Sequence, residues 1–499
     1  MLIVEKFVTK KNVSFVLTVF LILLYSAINI VLLLHHEPWE DEAHAWLVAR
    51  DLDIISIFKQ MAYDGTPALW YMFLVPFAKT GLPYISEFIL HLMIAVAAVT
   101  VFILYAPFSK LTKILFIFSY FMAYEYSIIA RSYCLSILLL FLIATLYGKR
   151  FEHPLWYSFL IFLLFNTNAH SFSIASSLTI LFAWEFYRNK VHISNGKISL
   201  FMMLLGGLLS FLQLLPRTDS INYGLLIGPS YLMPFVAIAN AFFPWHSAFF
   251  MQGDQRLAMI IVAILIFFII ILSIGKKPIV LFILLLSFSG LFYIFTFTYP
   301  GSLRHHGFIL IMLLVALWIS RYYSDSQNKL FEGISLRNNL LRISTALINI
   351  CLALSLIYSL KVQLQEYNHI FSGAKEMADF IKRNNFDNII VAHPSPQASA
   401  LLPYLDKQKF WYAGIEDFGT FVPYNNKILD SRGISNSEVI SRMKNAFPDQ
   451  SKILLLLGSP LNNPESNGFR LLYKVDKVFG YNMEKYYLYK PAEENHNKW

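Results

Sequence analysis

Charge is scarce in this sequence. Asp, Glu, Lys and Arg make up 14% of its 499 residues, against about 25% in a soluble domain, which excludes the densely solvated surface of an ordinary soluble protein. Cysteine is scarcer still. The two present, Cys134 and Cys351, both fall inside apolar runs, so neither a disulfide framework nor a cysteine-built metal centre can be argued. No Gly-x-x-x-x-Gly-Lys loop occurs, nor a Gly-x-Gly-x-x-Gly after a strand, which removes the usual grips on a soluble nucleotide. No internal repeat is visible, and paired repeats are what a transporter built on inverted halves would show. No small-residue cleavage site follows the first apolar run, although Lys6, Lys10 and Lys11 precede it as in a signal peptide; the run is read as a retained first span.

What fills the chain instead is hydrophobic, 57% of all residues. Apolar runs of roughly 20 residues match the ~30 Å of a bilayer's hydrocarbon and show no polar face. The expected fold is a polytopic α-helical membrane protein with eleven spans, near 13–34, 86–106, 111–128, 132–148, 155–168, 170–187, 198–216, 257–274, 279–299, 305–321 and 342–361. The net charge of +9 does not point to nucleic acid, because the bases sit at the ends of apolar runs, as topology determinants and headgroup contacts do. Lys10 with Lys11, Lys110 with Lys113, Lys149 with Arg150, Arg188 with Lys190, Lys276 with Lys277, and Arg321 with Arg337 share one side when eleven spans are threaded. An excess of Lys and Arg makes that side cytoplasmic. The expected location is the cell membrane, with the N-terminus inside. Residues 1–361 read as the transmembrane domain. Residues 362–499, polar and turn-rich, read as an extracytoplasmic α/β domain with helices at 375–384, 398–405 and 435–445, strands at 388–393 and 452–457, and aromatic strands to Tyr489.

Sorting polar residues by side leaves the cytoplasmic loops with little but bases and gathers the rest outside. The first outer loop carries Glu37-Pro38-Trp39-Glu40-Asp41-Glu42-Ala43-His44 and, further on, Tyr63-Asp64-Gly65-Thr66-Pro67. Later outer loops carry Glu125 to Arg131, Asn166 to His170, Phe243-Pro244-Trp245-His246, and Tyr299-Pro300-Gly301-Ser302-Leu303-Arg304-His305-His306. Ionisable groups at membrane depth are costly and tend to line working cavities, so these are the candidate site residues. Glu40-Asp41-Glu42 opens a helix, where the dipole favours carboxylates. That juxtamembrane helix is read as amphipathic, with Ala43, Trp46, Leu47, Ile54 and Phe58 toward the bilayer and His44, Arg50, Asp51 and Lys59 turned away. A second short helix covers 67–77, entered through a turn at Asp64-Gly65. Arg131 has Glu125 nearby as a partner. Arg304 with two adjacent histidines suits an anionic headgroup, whereas adjacent helix positions, pointing about 100° apart, converge poorly on one metal ion. The competing readings are a solvated loop for the acids, a plain turn at Asp64, a snorkelling anchor at Arg131 and a satisfied core histidine at His170.

Three segments taken together carry a resemblance. Pro38-Trp39-Glu40-Asp41-Glu42-Ala43-His44 running on to Arg50, then Gly65-Thr66-Pro67-Ala68-Leu69-Trp70-Tyr71, then Ala130-Arg131-Ser132-Tyr133 resemble the GT-C superfamily of integral-membrane glycosyltransferases. Within it they look like the branch of protein O-mannosyltransferases and lipid A aminoarabinose transferases, and more narrowly a bacterial subgroup of that branch. The resemblance covers roughly residues 13–320 and leaves the tail without a counterpart. It implies a polyprenyl-phosphate monosaccharide as donor and a protein, lipid or glycan as acceptor, with transfer on the extracytoplasmic side and inversion at the anomeric carbon. By motif, Asp41 takes the place of the general base and Glu42 that of its acidic neighbour, while Arg131 takes the place of the arginine near the donor phosphate. Arg304, His305 and His306 are assigned to the donor phosphate by position, and Glu125, His170 and Asp64 complete the substrate-binding candidates. The branch implies no metal. Thr66-Pro67 stands where the aminoarabinose enzymes have Lys-Pro, and the inserted soluble domain of the eukaryotic O-mannosyltransferases is missing.

The chemistry asks for such groups. A phosphate ester leaves readily, so what is needed is a base within reach of the acceptor and cations for the departing phosphate. Two other classes compete: a transporter or flippase of lipid-linked glycans, and a non-enzymatic scaffold whose outer domain binds a partner.

Overall fold

The computed structural model describes residues 14–188, 194–220, 229–244, 254–325, 334–405, 408–431, 433–480 and 482–492. Lys6, Lys10, Lys11, Lys190, Trp245 and His246, all used in the sequence reading, lie outside these, as does the side chain of Arg337. The chain divides into two compact units. One comprises Met1–Val31, Leu90–Leu215 and Gly224–Gln363, the other Leu32–Ile89, Pro216–Tyr223 and Leu364–Trp499, in each case so far as these residues are described.

Among the described residues eight helices are long and apolar enough to cross a membrane: Phe15–His35 (α1), Ile85–Tyr105, Ser132–Lys149, Gly196–Leu214, Gln255–Ser273, Pro278–Thr298, Leu303–Tyr322 and Asn339–Asn368. The other three expected spans do not reach that standard, each for its own reason. Over 111–128 the helix Lys110–Ile117 stops and a π-helical turn, Phe121–Glu125, follows. At the break the Ser119 hydroxyl bonds back to the Phe116 carbonyl at 2.7 Å, a local bond that competes with helix continuation. Over 155–168 the helix Pro154–Phe165 has 12 residues, about 18 Å of rise. It ends at Asn166, whose amide donates to the Phe162 carbonyl at 2.9 Å and the Gly206 carbonyl at 3.3 Å. Ala169–Arg188 is long enough at 20 residues, but His170, Ser171, Ser173, Ser177, Thr179 and Glu185 make it too polar.

Within the first unit, Leu303–Tyr322 is buried almost throughout. Glycine lets its neighbours close up. A Cβ at Gly206 would stand 2.8 Å from the Phe162 Cα, so the helices carrying them meet backbone to backbone there. Two of the bases read as topology markers are interior. Arg150 pairs with Glu185 at 2.7 Å, both side chains nearly inaccessible, and lies over the Tyr147 and Phe151 rings. Lys113 is buried and donates to the Ile103 carbonyl at 2.7 Å. A buried cation needs such partners, because leaving it unpaired costs several kcal/mol.

The second unit holds a six-stranded mixed sheet, β1 (Ile389–His393), β2 (Phe410–Tyr412), β3 (Asp417–Gly419), β4 (Ile453–Leu457), β5 (Phe469–Val475) and β6 (Tyr486–Pro491), in the order β3-β2-β1-β4-β6-β5. β2, β1 and β4 run parallel, with Val391 opposite both Trp411 and Leu455, and the remaining pairs are antiparallel. β4, five aliphatic residues buried on both faces, is the kind of strand a parallel centre demands. Val439, Ile440 and Met443 of the helix Asn436–Ala446 cover one side together with Trp411 and Tyr489. β2, β3 and the helix Asn426–Ser431 were not legible beforehand, being three to six residues long.

The same unit contains the loop after α1. It forms three helices, α2 (Glu40–Asp51), α3 (Ile54–Asp64) and α4 (Leu69–Lys79). The single amphipathic helix expected from Glu40 to Lys59 breaks at Leu52, because Asp53 caps a new helix by accepting from the Ser56 N–H at 3.0 Å. Nor do Ala43, Trp46 and Leu47 face lipid. Every residue from Glu42 to Ala49 is buried in protein, with Trp46 against Tyr84 and Tyr84 against Tyr404. Ile54 and Phe58 do remain exposed.

Candidate functional site

Each unit carries part of the expected set. In the second unit, α2 starts at the acidic cluster, and its three carboxyl groups have separate surroundings. Glu42 is completely buried. Its carboxylate accepts from the backbone N–H of Trp39 at 3.1 Å and faces His36 Nε2 at 3.1 Å. The other His36 nitrogen faces Glu366 at 2.8 Å, and the ring lies against Phe371. Burial by itself would push the His36 pKa down; the flanking carboxyl groups of Glu42 and Glu366 outweigh it and raise the imidazole to about 10. His36 is thus a charged bolt between the start of α2 and the helix that carries Glu366. Glu42 is thereby tied to the start of its own helix.

Glu40 offers its N–H to Glu484 at 2.9 Å and its carboxylate to the Asn482 amide at 2.5 Å. Glu484 also accepts from the Ser372 hydroxyl at 2.6 Å. Burial, with Glu40 and Asp41 nearby, holds its carboxyl well above the usual range. Burial likewise pushes neighbouring Glu37 up to about 7, against the opposing pull of Lys375. Asp41 remains part-exposed.

One turn further along α2, His44 meets Asp64, one of the expected substrate-binding residues. His44 is 5% exposed, and its Nε2 meets Asp64 Oδ2 at 3.0 Å. The same oxygen accepts from the Tyr71 hydroxyl at 2.8 Å, and Oδ1 accepts from the Gln60 amide at 2.9 Å. Asp64 is the last residue of α3, and the chain leaves it through Gly65 at φ 64°, a left-handed turn that glycine permits. Rings of Tyr424 and Phe421 stand edge-on to the imidazole at 5.0 and 6.4 Å. His44 Nδ1 is buried without a hydrogen-bond partner.

The first unit gathers the other candidates at helix N-termini. Arg131 precedes the helix Ser132–Leu146, His170 is the second residue of Ala169–Arg188, and Arg304, His305 and His306 open Leu303–Ile319. Ring contacts bring the three starts together, His170 to His305 at 4.8 Å, Tyr133 to His305 at 5.5 Å and Tyr133 to His170 at 6.2 Å. Arg131 and Arg304 lie close enough to act electrostatically on His305. Converging N-termini present positive dipole ends and a ready place for an anion. The histidines are not equivalent. His306 is spent on Asn240 at 2.9 Å and the Pro300 carbonyl at 3.0 Å. His305 Nδ1 caps its helix by accepting from the Ser302 N–H at 2.8 Å. His170, 5% exposed, has neither ring nitrogen hydrogen-bonded, so it is not a satisfied core histidine. Glu125, in the π-helical turn, accepts from the Tyr120 hydroxyl at 2.5 Å. Among the described residues no three His, Cys, Asp or Glu side chains are grouped to hold a metal ion.

His36, Glu366, Glu484 and Asn240 were not anticipated. No local pattern announces them, since their partners are 6 to 444 residues away. His44, three positions after Asp41, was visible as a same-face neighbour.

These features define a polytopic helical membrane protein with a C-terminal mixed α/β sheet region. No protein-family model, curated protein or solved structure matches the chain.

Proposed function

We propose that this protein is a membrane glycosyltransferase that moves a monosaccharide from a polyprenyl-phosphate donor to an acceptor hydroxyl outside the cell membrane, by inversion. In this reading eleven crossings, the shorter helices included, leave the N-terminus in the cytoplasm and the sheet region outside. Asp41 takes the proton of the acceptor hydroxyl, whose oxygen bonds to the anomeric carbon. The bond from that carbon to the phosphate oxygen breaks, and its electron pair leaves with the polyprenyl phosphate. Arg131, Arg304, His305 and His170 receive the phosphate and its growing charge, while Glu42 holds the helix that carries Asp41.

The observation that carries the reading is the meeting of three helix N-termini around His170 and His305, with two arginines alongside and both His170 nitrogens unbonded. A buried polar group left unpaired costs about 1–3 kcal/mol, and a phosphate would relieve it. The test is transfer from tritium-labelled polyprenyl-phosphate mannose, glucose and galactose by detergent-purified protein. Asp41→Asn should reduce the rate by about 10²-fold or more while leaving the melting temperature unchanged. Full transfer by a folded Asp41→Asn protein would sink the mechanism.

A further inference from the structure

A second proton acceptor sits beside Asp41 and has no use in the reaction as written. Asp41 and His44 are three positions apart on α2, one face of a helix with Cβ atoms about 5–6 Å apart. Asp64, itself held by Tyr71 and Gln60, faces Nε2 and thereby orients the ring. When Nε2 carries the proton given to Asp64, Nδ1 presents a lone pair, and that atom is buried and unbonded. In the neutral ring the tautomer follows from the partner, since a carboxylate can only accept. Tyr424 and Phe421 hold the ring edge-on, so it cannot swing out to find water without breaking the bond to Asp64.

Resting on the glycosyltransferase reading, we infer that the acceptor is a carbohydrate, bound through two of its hydroxyls, one on Asp41 and the second donating to His44 Nδ1. A serine or threonine side chain brings one hydroxyl, which Asp41 would consume, so a peptide would have only a backbone N–H left to offer His44. Hydroxyls on neighbouring carbons of a sugar ring can reach both groups at once. His44 is an acceptor-binding residue in this scheme, and Asp64 and Tyr71 are positioning residues behind it.

The test offers the full-length protein three acceptors with the labelled donors above: soluble maltotriose, a short-chain glycolipid and a Ser/Thr-rich peptide. Transfer should go to the carbohydrates, and the ratio of the first two separates a free glycan from a lipid-borne one. His44→Gln should raise the KM for the carbohydrate about tenfold, the loss of one hydrogen bond, with kcat nearly unchanged, the pattern of lost binding rather than lost chemistry. Asp64→Asn, which keeps the side-chain volume, should shift KM in the same direction and guards against a His44 variant that fails to fold. Transfer to the peptide alone, or KM unmoved in both variants, overturns this inference and leaves the glycosyltransferase standing. Absence of transfer to any acceptor overturns the glycosyltransferase reading beneath it.

Discussion

Replacing His36 by glutamine tests the construction of the second unit most directly. The imidazole lies between Glu42 and Glu366 at 3.1 and 2.8 Å, with all three side chains at most 1% exposed. Its rise from the ordinary 6.5 to about 10 corresponds to about 5 kcal/mol favouring the charged ring. Removing one partner of a buried ion pair costs about 3–5 kcal/mol. With about 2–4 °C per kcal/mol for a unit of this size, His36→Gln should lower the apparent melting temperature by about 10 °C. Trp39, Trp46 and Trp70 are buried in the same unit, so intrinsic fluorescence of the detergent-solubilised protein reports the transition. The sign of the pH dependence follows from the same shift. A base whose folded pKa lies above its unfolded one contributes stability that is complete below 6.5 and is lost as pH rises through about 10. Wild type should therefore lose melting temperature across that window, and His36→Gln should lose less. Glu366→Gln should destabilise wild type yet stabilise the His36→Gln protein, because there it removes a carboxylate that has lost its cation. A His36→Gln protein melting within about 2 °C of wild type, with an unchanged alkaline slope, would refute the reasoning.

Other outcomes follow from the first unit. Arg150→Met should cost about 3–5 kcal/mol by leaving Glu185 buried and unpaired, seen as a lower melting temperature; adding Glu185→Leu should restore most of it. Gly307→Ala would set a methyl against the Phe121 ring and 2.6 Å from the Tyr126 hydroxyl, an overpacking of about 1–3 kcal/mol right beside His305 and His306. It should weaken binding of inorganic phosphate and of polyprenyl-phosphate donor together, measured by filter retention, with unchanged binding counting against an anion site there.

The sequence alone determined that this is a membrane protein of many helices with an α/β tail, because hydrocarbon imposes length and composition that any window can register. It also located the acidic helix start and singled out the loops that carry Arg131, His170 and Arg304, whose helix starts the structure brings together. Tertiary structure decided which of those groups are available. Glu42 and His306 carry the right chemistry for a site but are consumed by Trp39 and His36 in one case and by Asn240 and Pro300 in the other. His44 looked solvent-facing from the apolar pattern of α2, since a helix buried on every side leaves no polar face to read. Arg150 and Lys113 resembled lipid anchors until Glu185 and the Ile103 carbonyl claimed them. Asn240 and Glu185 sit far away in the chain on other helices, and hydrogen bonds of that kind leave no period in a sequence. Asp41 keeps its place as the candidate base, now with an oriented histidine one turn behind it.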